Sequence, residues 1–358
     1  MALPFFNSGE RKKRDQMLAI DLGGRTTKAV YLQRKGDQFV LAGCALSDAP
    51  IYEKHLSVEL LSGHLKAVCQ LMDAKTKLLT LAIGVNESFV RHADMPPIPV
   101  ADMRQVLKNN ARIYLQQDLS GHIFDCYVTP PKAAPKPAEK FKPGAPGQKY
   151  KVLVAGAKKQ LVDDLQTAVR NTGLTADCVM PGLLGPVNAF EMAHPEVFSR
   201  DVVALVDIGF KNTSICLLQQ GELALSRVVG IGGDRFTHGL AESLNVSYAE
   251  AEGIKVGMAG EVRAALEALI VPLGRELRAS IDFFEHQQDK PVSKVYITGG
   301  SSRSEFIVQT LQNELLADCV TWMPTTFLQL ALPPQQTAEI EYIAPQLTVA
   351  IGAAMAAF

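Results

Sequence analysis

The feature of this sequence that most constrains its fold is an internal repeat. The segments Asp21-Leu-Gly-Gly-Arg-Thr-Thr and Asp207-Ile-Gly-Phe-Lys-Asn-Thr each follow an apolar run, and each leads into a second and a third β-rich run. Both contain Asp-x-Gly, with a Thr at the same later position. One such turn is most often an ordinary hairpin, but its duplication in matching contexts predicts two copies of one structural unit that face each other.

The residue types in these turns suit a phosphate group and a divalent cation. Glycine permits a tight turn that brings backbone N–H groups close to an anion, and Thr hydroxyls add further donors. A carboxylate suits Mg²⁺ or its water shell, because Mg²⁺ prefers oxygen ligands and retains its waters. We therefore predict that the two turns clamp the β- and γ-phosphates of a nucleotide and that Asp21 and Asp207 hold Mg²⁺ through water.

Two further glycine pairs extend this pattern. Gly232-Gly-Asp precedes a predicted helix, and Thr298-Gly-Gly-Ser-Ser joins a predicted strand to a helix. Exposed N–H groups at the start of a helix favour binding of a phosphate or a sugar. A Gly-Gly turn between a strand and a helix is, however, commonly a turn with no ligand. The sequence has no Gly-x-x-x-x-Gly-Lys-Ser/Thr before a helix and no Gly-x-Gly-x-x-Gly opening a βαβ unit, which removes the usual glycine-rich nucleotide loops.

The length and the order of apolar runs predict an α/β chain with two lobes and an insertion. A chain of 358 residues exceeds one ordinary core. We expect a first lobe from residues 15–85, 159–200 and 341–358, and a second lobe from residues 201–340. Within the first lobe, between residues 85 and 159, we expect an inserted α+β subdomain at 86–158. This subdomain carries a loop at 130–147 that is too rich in Pro, Gly and Lys to pack.

The composition excludes several classes of function. Lys and Arg number 36 and Asp and Glu number 37, so nothing indicates a surface for nucleic acid. The six Cys show no Cys-x-x-Cys pair, which argues against a zinc site or a disulfide framework. No apolar run is long enough to cross a bilayer, and the first residues do not resemble a signal peptide. We expect a cytoplasmic protein without a transmembrane segment.

Taken together, these motifs resemble the actin-like ATPase superfamily and, within it, the FtsA/PilM subgroup, above all the PilM family of type IV pilus assembly proteins. The resemblance spans nearly the whole chain and implies a two-lobed, ribonuclease H-like duplicated fold with a small subdomain inserted in the first lobe. It implies ATP and Mg²⁺ as ligands. The nucleotide-binding residues that it implies are Asp21, Gly23, Gly24, Thr26, Thr27, Lys28, Asp207, Gly209, Asn212, Thr213, Gly232, Gly233, Asp234, Glu252, Lys255, Gly299, Gly300, Ser301 and Ser302.

Two features favour PilM over FtsA. The segment from Val90 to Met103, followed by Phe124-Asp-Cys-Tyr-Val, resembles the entry to the PilM inserted subdomain, and no FtsA-like amphipathic anchor is evident at the C-terminal end. The resemblance implies a scaffold that binds the cytoplasmic tail of a PilN-like inner-membrane protein in a groove of the inserted subdomain and the first lobe. It also implies contacts with other pilus assembly components, a position peripheral to the inner membrane, and a capacity for self-association.

Two departures from the family pattern bear on activity. Asn109-Asn-Ala stands where the family usually carries a Trp-Glu pair, and Met180-Pro stands where the family tends to have an acidic residue before the proline. An acidic side chain there could position an attacking water, so we expect weak or absent ATP hydrolysis.

Other functions remain open at this stage. A kinase of the same fold would need a general base near the acceptor hydroxyl, and no unassigned Asp between the two turns has a convincing context. An FtsA-like cell-division or filament-forming protein is a further alternative. A scaffold that has lost nucleotide binding is disfavoured, because both turns are intact. Glu252 and Lys255 could also be an exposed ion pair within one helix.

Overall fold

A computed structural model describes residues 14–51, 56–129 and 149–358. The Pro-rich loop predicted at 130–147 therefore lies outside the described residues. The strands are β1 (Gln16–Leu22), β2 (Thr26–Lys35), β3 (Gln38–Asp48), β4 (Leu78–Ile83), β5 (Ser88–Met95), β6 (His122–Val128), β7 (Tyr150–Lys158), β8 (Thr175–Pro181), β9 (Val202–Ile208), β10 (Thr213–Gln219), β11 (Glu222–Val229), β12 (Lys294–Thr298), β13 (Cys319–Thr321) and β14 (Leu328–Leu330).

The helices separate the strands into three groups. They are α1 (Val58–Gln70), α2 (Val100–Leu115), α3 (Lys159–Asn171), α4 (Gly185–Ala193), α5 (Pro195–Arg200), α6 (Gly233–Leu244), α7 (Tyr248–Gly257), α8 (Arg263–Gln288), α9 (Glu305–Leu315) and α10 (Pro334–Met355). None of the helices in the described ranges is both long and apolar enough to cross a lipid bilayer.

The first sheet has the strand order β14-β3-β2-β1-β4-β8. β1, β2 and β3 form an antiparallel meander, as the sequence predicted, and β4 and β8 continue the sheet in parallel. One face packs against α1 and α3 and the other against α10. Because both faces are covered, β1 is apolar and buried along most of its length.

The second sheet repeats this topology with the order β11-β10-β9-β12-β13. β9, β10 and β11 form an antiparallel meander, and β12 joins β9 in parallel, as β4 joins β1. A core of large aliphatic side chains packs this sheet against α8 and α9. The predicted duplication of one α/β unit in two lobes is confirmed.

The inserted subdomain is a three-stranded antiparallel sheet in the order β5-β7-β6, with α2 on one face. The backbone of α2 leaves helical geometry at Asn110, where φ is −130°. This irregularity falls within the Asn109-Asn-Ala segment that departs from the family pattern. The other face of the sheet contributes Val90, Leu153 and Ala155 to the core shared with the first sheet.

The last part of the chain differs from the prediction. The sequence assigns only residues 341–358 to the last segment of the first lobe, but α10, which packs on the first sheet, begins at Pro334. β14 pairs in parallel with β3, so the chain rejoins the first sheet before the boundary predicted at 340. The period of apolar residues could not locate this strand, because it has three residues, two of them exposed. The remaining lobe boundaries stay predictions.

Helices α4 and α10 cross in direct backbone contact between the two sheets. A Cβ atom added to Gly352 would lie 1.8 Å from the carbonyl oxygen of Gly185, and one added to Gly185 would lie 2.7 Å from the Cα atom of Val349. We expect Gly352→Ala to lower the free energy of unfolding by about 2 kcal/mol or more, because the backbones must separate. Urea unfolding of the purified variant measures this change.

Gly253 provides the control for that substitution. It lies in α7, and a Cβ atom there would meet nothing within 4 Å. Gly253→Ala should raise the free energy of unfolding by about 0.5–1 kcal/mol, because alanine restricts the unfolded chain more than glycine does. Equal effects of the two substitutions would contradict the tight helix crossing.

Candidate functional site

Two hairpin turns of equal length lie at the centre of the molecule. The first turn, residues 23–26, closes where Leu22 pairs with Thr27, and the second turn, residues 209–212, closes where Ile208 pairs with Thr213. The turns face each other, since a Cβ atom on Gly24 would lie 3.9 Å from Cδ1 of Phe210.

The two turns leave equivalent backbone donors available. In the described part of the chain, no protein acceptor receives the N–H groups of Gly24 and Arg25 in the first turn or of Phe210 and Lys211 in the second. Gly23 must remain glycine, because a Cβ atom there would lie 2.5 Å from the carbonyl oxygen of Thr26. This arrangement suits an anion held between two small loops.

Asp21, Lys28 and Asp207 form a charged cluster behind the turns. Asp21 and Lys28 are cross-strand neighbours, and Nζ of Lys28 lies 3.1 Å from Oδ2 of Asp21. Burial raises the pKa of Asp207 from 3.8 to about 6, against the lowering effect of the nearby Lys28 ammonium, and the Asp21 carboxylate raises it further. The predicted pair of carboxylates therefore shares one cation.

The predicted Thr donors point away from this cluster. The Thr27 hydroxyl lies 2.7 Å from Nε2 of His64 on α1, and the Thr213 hydroxyl donates to the carbonyl oxygen of Ile231 at 2.7 Å. Both threonines are buried on the outer face of their sheet. Because strand side chains alternate between faces, the residues beside them, Lys28 and Ser214, face inward. The two hydroxyls anchor the turns, and their contact with a phosphate stays a prediction.

The Gly232–Asp234 segment supports the second turn. The N–H of Gly233 donates to the carbonyl oxygen of Gly209, and the N–H of Asp234 donates to that of Phe210. The Asp234 carboxylate accepts a hydrogen bond from the hydroxyl of Tyr248 at 2.9 Å. The N–H groups of Gly233 and Asp234 are thus already used within the protein, and a nucleotide contact by this segment stays a prediction.

The turn at residues 299–302 lies against Asp207 and the Gly232–Asp234 segment; we call it the adenosine turn, because the family resemblance predicts that it contacts adenosine. Gly299 has φ of +93°, and a Cβ atom there would lie 2.5 Å from Oδ1 of Asp207. A Cβ atom on Gly233 would lie 2.6 Å from Oγ of Ser301. The Ser302 hydroxyl donates back to the carbonyl oxygen of Gly299. The structure thus brings all four predicted glycine segments into one site.

Glu252 and Lys255 are not an exposed helical ion pair. Lys255 is buried, and its Nζ donates to Oε2 of Glu252 at 2.7 Å, to Oγ1 of Thr237 at 2.7 Å and to the carbonyl oxygen of Gly233 at 3.3 Å. Burial lowers the pKa of Lys255 despite its carboxylate partner. Burial raises the pKa of Glu252, but hydrogen bonds from Lys255 and Thr237 outweigh it, and the net shift is downward. The ion pair ties α7 to the start of α6.

Sequence reasoning missed Arg25. Its Nη1 atom lies 3.3 Å from Oε1 of Glu252, and its guanidinium carbon lies 5.6 Å from the centroid of the Phe210 ring. Arg25 belongs to the first turn, whereas both partners belong to the second lobe. A cation inside an Asp-x-Gly turn was the available signal, since a positive charge beside free N–H groups favours an anion.

The raised pKa of Asp207 predicts a stability change. In magnesium-free buffer at pH 8, Asp207→Asn should raise the free energy of unfolding by about 2 kcal/mol, because it removes a charge that the fold disfavours. The folded carboxyl holds its proton more tightly than the unfolded one, so the contribution of Asp207 to wild-type stability falls as pH rises from about 4 to about 6. The gain should therefore be complete above pH 6 and shrink below it, as denaturant unfolding at pH 5 and pH 8 can show.

Asp21→Asn is the matched comparison and should act in the opposite direction. It leaves the Lys28 ammonium without the carboxylate that lies 3.1 Å away. We expect a loss of about 1–3 kcal/mol at pH 8. A loss of stability in Asp207→Asn as well would contradict the assigned cost of the Asp207 charge.

Known proteins share this architecture. A solved structure of a PilM-PilN type IV pilus biogenesis complex superposes with a TM-score of 0.80 and 22% identity, covering 96% of this chain and 99% of that one. The ethanolamine utilization protein EutJ from Carboxydothermus hydrogenoformans superposes with a TM-score of 0.54 and 15% identity, covering 97% of this chain and 91% of that one. At these identities the likeness shows the shared fold.

Sequence comparison supports the same assignment. Cell division protein FtsA from Bacillus subtilis (strain 168) is 42% identical over 103 residues, which make up 29% of this chain and 22% of that protein. The chain thus matches less than a quarter of the length of this curated relative. A family model described as type IV pilus assembly protein PilM matches residues 139–358. Because this match covers more than half of the sequence, the chain belongs to the PilM family of type IV pilus assembly proteins.

Proposed function

We propose that this chain is an ATP-binding scaffold of a type IV pilus assembly machinery. The observation that carries the proposal is the pair of equivalent turns that face each other with free backbone donors above the cluster of Asp21, Lys28 and Asp207. A polyphosphate between the turns would receive hydrogen bonds from both lobes. The adenosine turn adjoins Asp207, which supports one continuous nucleotide site.

The donor set fits Mg²⁺ that arrives with a nucleotide. In the described ranges no group of three or more His, Cys, Asp or Glu residues is arranged to hold a metal ion. Asp21 and Asp207 would therefore hold a hydrated Mg²⁺ whose other ligands are phosphate oxygens and waters. When bound, the ion neutralises phosphate charge. Lys28, between the two carboxylates, would then be free to face the phosphates.

The proposal is for binding, with ATP as a structural ligand. Met180 precedes Pro181 at the end of β8, and its thioether is buried in the core shared by the two sheets. A thioether cannot accept a proton from an attacking water. This position therefore lacks the acidic side chain that the family tends to carry. The kinase alternative is disfavoured by family membership.

We further propose that the chain binds the cytoplasmic tail of a PilN-like inner-membrane protein, because the solved structure with a TM-score of 0.80 is a PilM–PilN complex. The inserted sheet shares a core with the first sheet, which supports a peptide groove to which both would contribute. ATP between the turns would set the angle between the lobes and thereby the shape of this groove. Through this partner the protein would lie at the cytoplasmic face of the inner membrane.

Isothermal titration tests the nucleotide proposal. We expect wild-type protein to bind ATP with micromolar affinity in Mg²⁺, and Asp207→Asn to weaken this binding at least about tenfold, since it loses a carboxylate toward the hydrated ion. The control is Asp163→Asn, an exposed residue of α3 that pairs with Lys159. Failure of folded wild-type protein to bind ATP would refute the proposal.

The partner proposal has its own measurement. A synthetic peptide of the PilN-like tail should bind the wild-type chain about fivefold or more tightly with ATP and Mg²⁺ than without, because linkage of this kind is typically about 1–3 kcal/mol. Asp207→Asn should bind the peptide with little response to ATP. Fluorescence anisotropy of a labelled peptide measures both, and no binding in either condition would exclude the tail as the partner.

A further inference from the structure

Arg25 connects the two lobes across the proposed nucleotide site. It is the third residue of the first turn, and its guanidinium contacts Glu252 of α7 at 3.3 Å and the ring of Phe210 in the second turn at 5.6 Å. Arg25 thus belongs to the first turn and contacts the second, and these are the two turns whose N–H groups are free. A ligand held between the turns would lie close to this side chain.

Among the described residues, three cations of the cleft contact protein acceptors, and they differ in how firmly the protein holds them. Lys28 is paired with Asp21, and 17% of its side chain is exposed. Lys255 is 8% exposed at its side chain and donates hydrogen bonds to three protein acceptors. Arg25 is 45% exposed and holds one long contact to a carboxylate. Of these three, Arg25 is therefore the cation that can transfer to a ligand with the smallest loss of protein contacts.

Glu252 does not require Arg25 as a partner. Its Oε2 atom accepts hydrogen bonds from Lys255 and from the hydroxyl of Thr237, whereas Arg25 approaches the other oxygen, Oε1. If Arg25 left, the carboxylate would keep two donors, and Oε1 would face the solvent of the cleft. The bridge can therefore open without leaving a buried charge uncompensated.

We infer that Arg25 is the residue that distinguishes ATP from ADP in this site, an inference that rests on the proposed nucleotide function. Without a triphosphate, Arg25 bridges to Glu252 across the cleft. With ATP, its guanidinium leaves Glu252 and donates to the terminal phosphate. An exposed ion pair contributes little in water, because both charges are well hydrated. A guanidinium that donates two parallel hydrogen bonds to a phosphate forms a stronger interaction, which favours the transfer.

This transfer would make the lobe contact depend on the nucleotide. ADP offers no third phosphate beside the first turn, so the bridge from Arg25 to Glu252 would remain. ATP would replace this bridge with its own contacts to both turns. The first turn would thus be bridged to α7 with ADP and separated from it with ATP. The scaffold would then have two states that a partner could distinguish.

Nucleotide titrations of three variants test the inference. Arg25→Gln should weaken ATP binding at least about tenfold and ADP binding by less than about threefold, so the ratio of the two affinities falls. Glu252→Gln removes the bridge but keeps Arg25, so its ratio should stay at the wild-type value even if both affinities change. Arg235→Gln, an exposed arginine of α6, should also keep the wild-type ratio.

Hydrogen–deuterium exchange without nucleotide tests the bridge itself. Arg25→Gln and Glu252→Gln should both speed exchange in the first turn and in α7, whereas Arg235→Gln should not. If exchange in Arg25→Gln were unchanged, the bridge would be refuted. If the wild type binds ATP but Arg25→Gln keeps the wild-type affinity ratio, the role of Arg25 would be refuted while the proposed function would stand. No ATP binding by the wild type would refute the proposed function and this inference with it.

Discussion

The crossing of α4 and α10 is the constraint on which the rest of the structure depends. At Gly185 and Gly352 the two backbones touch with no side chain between them. α10 packs against the first sheet and α4 against β9 of the second, so this crossing sets the distance between the sheets. The carbonyl oxygen of Pro345 in α10 also accepts hydrogen bonds from Gly299 and Thr298. One helix, α10, therefore fixes the position of the adenosine turn relative to the first lobe.

The charged groups of the cleft already interact with one another within the protein. Lys28 lies near both Asp21 and Asp207, and Glu252 is held by Lys255 and approached by Arg25. A polyphosphate with Mg²⁺ would replace some of these ion pairs with its own, because the described charges already have partners. Under the proposed function, this exchange of partners is how a ligand would favour one lobe arrangement over another. This property agrees with a scaffold whose shape depends on what it binds.

Much of the fold was predictable from local pattern. The two meanders, the helices that cover them and the strands of the inserted sheet follow from apolar runs whose lengths and periods are strong. The repeat predicted that Asp21 and Asp207 lie close together, because equivalent strands end at the same edge of equivalent sheets. β14 and the start of α10 were missed, since a strand of three residues has no period and Pro345 interrupts the helical pattern.

The sequence by itself determined the duplicated topology, the two glycine turns, the carboxylate that precedes each turn and the family. These features depend on residues close together in the chain, whose conformational preferences are local. Tertiary structure alone decided the use of each polar group. It turned the side chains of Thr27 and Thr213 away from the cleft, and it used the N–H groups of Gly233 and Asp234 in hydrogen bonds to the second turn. It also buried Lys255 and brought Arg25 into contact with Glu252. Hydrogen-bond partners are set by distances between segments far apart in sequence, and no local pattern specifies those distances.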